Sequence, residues 1–87
     1  MPKLTKEEKK WLRDLQSIID RYPSPKRIGF YTIGDRHIYL YDLRREDEIF
    51  KALDSGTAFD FCMAVENLGA LFEESITFPS VVASTAG

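Results

Sequence analysis

Residues 27–43 read RIGFYTIGDRHIYLYDL, and this stretch constrains the fold more than any other. Two short runs, 28–33 and 37–41, are rich in β-branched and aromatic residues, which suit a pleated, half-buried surface. Gly34-Asp35 stands between them, and apolar runs around such a pair form a hairpin. Two strands alone are marginal in water. The rest of the chain must therefore supply a third strand, a cover, or both.

Loop length decides which side chains share a face, because strand side chains alternate with a period of two. With an even loop, Phe30 joins Tyr39 and Tyr41, and both faces are mixed. With a loop of three or five residues, Ile28, Phe30, Thr32, Ile38 and Leu40 lie together, and Tyr31, Ile33, His37, Tyr39 and Tyr41 lie opposite. The odd loop separates aliphatic from aromatic residues more cleanly and is preferred here, although Gly34-Asp35 also suits a two-residue turn. On this reading helices cover the aliphatic face and the tyrosine face looks outward.

Before the hairpin, Thr5-Lys6-Glu7-Glu8 reads as a capping box. Trp11, Leu12, Leu15, Ile18, Ile19 and Tyr22 then recur on one helical face. YPSP ends this helix, since Pro23 cannot continue it and Pro25 disfavours helix at Ser24. The first helix is expected over 5–22. After the hairpin, LRREDEIFKALDSG has helical character, with Ile49, Phe50 and Leu53 on one side and Gly56 as a left-handed C-cap. FDFCMAVENLGALF predicts another helix, with Asp60 as N-cap and Gly69 as a stop. SITF is a short final strand. The expectation is an α+β fold of order α-β-β-α-α-β. It has a three-stranded antiparallel sheet with helices packed on one face, a single domain over 1–78 and a C-terminal tail over 79–87.

Eighty-seven residues with 44% hydrophobic and 30% charged content describe one ordinary globular domain. No apolar run spans a bilayer, and MPKLTKEEKKW lacks the apolar core of a secretory signal, so no membrane partner is expected. The lone Cys62 excludes an internal disulfide, and the cytoplasm is the default compartment. Charge is divided unevenly. Residues 1–45 hold eleven Lys/Arg and six Asp/Glu, whereas residues 46–87 hold one Lys and eight Asp/Glu. The net charge of −2 argues against nonspecific nucleic-acid binding as the main activity.

Chemistry-bearing constellations are sparse. His37 is the single histidine, so a zinc site of the usual N/S type lacks ligands, and no metal or cofactor is expected. Cys62 lies between Phe61 and Met63 and reads as a structural thiol. The acidic runs Glu46-Asp47-Glu48 and Glu73-Glu74 read as solvated surface, the first also suiting a helix N-terminus. GFYTIG is neither a Walker loop nor a dinucleotide fingerprint. KRIGFYTI has the flavour of an RNA-recognition strand, but Ile28 interrupts the pattern between Arg27 and Gly29. Two surfaces remain as candidates. Tyr31, His37, Tyr39 and Tyr41 form an aromatic sheet face suited to protein recognition, the plainer reading being strand propensity alone. Lys6, Lys9, Lys10 and Arg13 on the first helix are candidate phosphate contacts, the plainer reading being a solvated helix face.

The combination GFYTIGD…YD…DFC…AVE…FPSVVASTAG resembles a family of small uncharacterised proteins encoded by tailed phages and prophages of enteric bacteria. The likeness is most specific at residues 29–35 and 78–87. It implies a non-enzymatic accessory protein, expressed in the host cytoplasm, that binds a host protein, and it transfers no catalytic or binding residues. With the residues, it gives the expectation of a host-protein binder acting through the aromatic sheet face, or of a homodimer through that face. The runner-up is a small nucleic-acid-binding regulator using the basic first helix.

Overall fold

Tyr31 pairs with Tyr39, Phe30 with Leu40, Gly29 with Tyr41 and Ile28 with Asp42 in the computed structural model. The structure describes residues 1–83. Strands β1 (Ile28–Tyr31) and β2 (His37–Asp42) are joined by the five residues 32–36, so the loop is odd and the expected segregation of side chains holds. Gly34 takes φ 85° in the turn, a left-handed conformation that costs glycine little. Its amide donates to Thr32 Oγ1 at 3.2 Å. β3 (Leu71–Thr77) adds antiparallel to β2, giving the sheet order β1-β2-β3 with an irregularity between Tyr39 and Tyr41. β3 starts earlier than SITF suggests, because the preceding helix stops at Asn67 and Gly69 turns the chain with φ 66°.

The helices are α1 (Lys6–Asp20), α2 (Glu46–Asp54, preceded by the 3-10 turn Leu43–Arg45) and α3 (Phe61–Asn67). The observed order is the expected α-β-β-α-α-β, an α+β fold. Each helix carries the expected terminal chemistry. Asp60 accepts the Met63 amide at 2.8 Å. Glu46, Asp47 and Glu48 occupy the first turn of α2, where carboxylates meet the positive end of the helix dipole. Gly56 follows α2 with φ 77°. Arg45 ties α2 to α3, because its guanidinium donates to the Leu68 carbonyl and to Glu48 at 2.7 Å.

The core is small. Tyr41, Ile49, Ala58, Ala64, Val65 and Ala70 are buried, with Tyr31, Leu43, Ala52, Leu53, Phe61, Met63 and Leu68 packed around them. α2 and α3 build it together with the tyrosine side of the hairpin. α1 contributes no buried residue. The Cα radius of gyration is 15.8 Å and the principal extents are 49 × 31 × 21 Å, against a radius of about 12 Å for a compact chain of this length.

α1 is nevertheless well capped. Glu8 N–H donates to Thr5 Oγ1 at 3.1 Å, and Thr5 N–H donates to the Glu8 carboxylate at 2.7 Å. Thr5→Ala is expected to cost the helix about 1 kcal/mol. The far-UV helical signal should fall while the near-UV signal of the tyrosines stays. Joint loss of both signals would mean that α1 is part of the cooperative core.

Candidate interaction surface

The inner end of the tyrosine face is covered, which corrects the expectation that the whole face looks outward; its outer end stays open, with Ile33 57% exposed. Phe61, the first residue of α3, meets Tyr31 and Tyr41 edge-on with ring centroids 5.4 and 5.1 Å apart, the favoured geometry for aromatic pairs. Tyr31 stacks on Tyr39 at 5.4 Å, and His37 follows at 6.0 Å from Tyr39. The four residues proposed as a partner-binding face therefore do form one ladder. Its inner end, Tyr41, is only 6% exposed. Tyr31, Tyr39 and His37 are half-buried along it.

The physical reason lies opposite Tyr41. Gly29 is its cross-strand partner, and a β-carbon there would stand 2.5 Å from the tyrosine ring. Absence of that carbon makes a slot for the ring. Two of the three hydroxyls are paired with carboxylates. Tyr41 donates to Glu46 at 2.8 Å and Tyr39 to Asp35 at 2.6 Å. Sequence reasoning missed both Phe61 as the cover and Glu46 as the partner. The legible signal was Gly29, the one small residue on an otherwise bulky face.

These environments shift the titrating groups in consistent directions. Burial, helped by neighbouring Cys62, pushes Tyr31 up to about 12, and burial with the Glu46 hydrogen bond pushes Tyr41 up to about 12. Asp35 is held below the usual carboxylate range by the Tyr39 hydroxyl and then by the His37 amide. Burial and nearby Glu66 raise the Cys62 thiol, which keeps it protonated and a poor nucleophile. The His37 ring rests on Thr77 Oγ1 at 3.1 Å, and its amide donates to Asp35 Oδ1 at 2.9 Å. Among the described residues no group of three His, Cys, Asp or Glu is placed to hold a metal ion.

For the tyrosines, folding favours the protonated form. Their stabilising effect is therefore complete below the ordinary value of 10 and is lost as pH rises through about 12. In an alkaline titration, part of the tyrosinate absorbance should appear only near pH 12, together with loss of the folded signal. Full ionisation at the ordinary value in still-folded protein would contradict a packed ladder.

The opposite face of the sheet is open. Phe30 is 49% and Ile76 45% exposed. Ile28, Ile38, Leu40 and Phe72 are half-buried. Ile38 pairs with Ile76 and Phe30 with Leu40, so these residues form one apolar band across three strands. Arg27, Ile28, Leu40, Phe72 and Glu74 line a shallow hollow in it, with the Arg27 guanidinium over the Phe72 ring at 5.2 Å. Tyr22 closes one corner, 5.6 Å from Phe30 and with its hydroxyl on the Ile28 carbonyl.

α1 presents a second apolar surface. Trp11, Leu12, Ile18 and Ile19 are 45–62% exposed and share one side of the helix with Leu15, whereas Tyr22 lies past the helix end. Lys6, Lys10 and Arg13 stand on the other side, with Lys9 toward its edge, all exposed. They alternate with Glu7, Asp14 and Asp20, and Lys10 meets Asp14 at 3.6 Å, an exposed pair of little energetic weight. The basic residues thus lie on one helix without forming an unbroken positive field.

The tail begins on the hairpin loop. Phe78 N–H donates to the Arg36 carbonyl at 2.7 Å and Val82 N–H to the Asp35 carbonyl at 2.8 Å. The remainder of the expected tail, 84–87, lies outside the described residues. No helix of the described residues is long and apolar enough to cross a membrane. No protein-family model, curated protein or solved structure matches the chain.

Proposed function

We propose that this chain is a non-enzymatic protein-binding module, a phage or prophage accessory factor working inside the host cell. Its working surface is the apolar stripe of α1 together with the open sheet face, rather than the tyrosine ladder. The observation that carries this reading is the stripe itself. Trp11, Ile18 and Ile19 stand 53–62% exposed on a capped amphipathic helix that buries nothing. A helix of 15 residues is marginal in water without a packed face, and contiguous exposed apolar patches mark interaction sites. Non-enzymatic action fits a single histidine held at a turn by Thr77 and a thiol kept protonated.

The test is pull-down from host lysate supplemented with untagged chain, using the tagged full chain and tagged Ile18→Asp. Specific protein partners, the untagged chain included, that are retained by the wild-type bait and lost with the variant support the reading, and an identical set of partners removes it. The nucleic-acid alternative rests on Lys6, Lys9, Lys10 and Arg13. It requires binding to DNA or RNA that weakens steeply with salt, and an anisotropy titration flat at low salt eliminates it.

A further inference from the structure

We propose that the occupant of the open sheet face is α1 of a second copy of this chain. The two copies exchange helices reciprocally in a two-fold dimer. The inference rests on the protein-binding reading above and names its partner.

The chain carries two unpartnered apolar surfaces of matching form. α1 has 15 residues, about 22 Å at 1.5 Å per residue. β3, the longest strand, has seven residues, about 23 Å at 3.3 Å per residue. One helix laid along the strands, over Phe30, Ile38, Leu40, Phe72 and Ile76, matches β3 in length. A helix seated on a sheet face is the ordinary way both elements bury their apolar sides.

The chain's own α1 is badly placed for this. Tyr22 already packs on Phe30 and bonds the Ile28 carbonyl. The Ile28 and Arg27 amides both donate to Ser24 O, at 3.2 and 3.0 Å. Pro23 and Pro25 stiffen the same link. The helix is thereby tied at a corner of its own sheet, and none of its residues is buried. A two-fold axis resolves the mismatch, because each helix that leaves one sheet meets the other, and the contact is the same in both directions.

Area and charge agree with a second copy. The exposed parts of Trp11, Leu12, Ile18 and Ile19 together with Phe30 and Ile76, taken twice, amount to roughly 1,200–1,600 Å², the range of a standard stable interface. Residues 1–26 carry seven Lys/Arg and four Asp/Glu, and residues 27–87 carry five and ten. The two segments thus differ in the sign of their net charge, which favours their approach at long range, while the open face itself carries both Arg27 and Glu74 beside Phe72.

The test uses the full chain. Light scattering should give twice the 10.0 kDa chain mass. On dilution the emission of Trp11, the only tryptophan, should shift to the red as it leaves the interface. Ile18→Asp on the helix and Ile76→Asp on the sheet should each weaken self-association by roughly a hundredfold or more, since each puts an unpaired carboxylate into an apolar contact. Both sites are exposed, and an unchanged near-UV tyrosine signal confirms that the variants fold. In a Cys62→Ser background, mixing Ile18→Cys chains with Ile76→Cys chains should give an inter-chain disulfide joining the two kinds. A monomer, or cross-linking of helix to helix only, overturns the proposal. If the chain is monomeric yet Ile18→Asp abolishes capture of a different protein, the dimer fails and the protein-binding reading stands. If it is monomeric and binds anionic vesicles in an Ile18-dependent way, both fail.

Discussion

Ile49→Ala is expected to remove most of the stability of this chain. Ile49 is fully buried in α2, and truncation of such a side chain costs about 2–5 kcal/mol, depending on how far the surroundings collapse. Here collapse is poor. Three of the other five buried core residues are Ala58, Ala64 and Ala70, whose methyl groups have no further reach into a hole. Tyr41 is held by its hydroxyl on Glu46. A chain of this length has about 4–13 kcal/mol of stability in total, and one with so few buried side chains belongs toward the lower end. Urea unfolding followed by near-UV dichroism should show a large drop in midpoint. The adjacent Phe50→Ala, at a residue 48% exposed, should move it far less. Equal effects at the two positions would place the core elsewhere.

Gly29→Ala is the second large effect, and here the damage comes from adding one carbon. Its β-carbon would lie 2.5 Å from Cε1 and Cζ of Tyr41 and 2.8 Å from Cδ2 of Leu43. Contacts that close force a shift. The obstacle is a buried ring gripped between Phe61 and Glu46, so the shift cannot be a rotation of a free side-chain end. Overpacking of this kind costs about 1–3 kcal/mol. The expected result is a lower unfolding midpoint and a changed near-UV signal, because Tyr41 must leave its slot. A Gly29→Ala chain as stable as wild type would show that the ring does not occupy that space.

Much of the local structure was legible from residue types alone. The capping box at Thr5, the N-cap at Asp60 and the acidic first turn of α2 are chemical requirements of helix ends, met within a few residues. The odd hairpin loop followed from requiring each sheet face to be uniform. Boundaries were less secure where tertiary contact intervened. Leu71 and Phe72 fit a helical reading of FDFCMAVENLGALF, yet they enter β3 because β2 offers a hydrogen-bonding edge there.

Periodicity by itself determined that the tyrosines share one side of the hairpin and the aliphatic residues the other, because alternation in a strand is a local property. It could not determine which side supplies the buried core, because both sides carry enough apolar surface to do so. Tertiary structure decided that. Gly29 leaves room for Tyr41, Glu46 and Asp35 accept the hydroxyls of Tyr41 and Tyr39, and Phe61 packs on Tyr31 and Tyr41. Two elements distant in the chain had to meet before the aromatic face became the inside. Once they did, the aliphatic face and the stripe of α1 were left without a cover in the single chain.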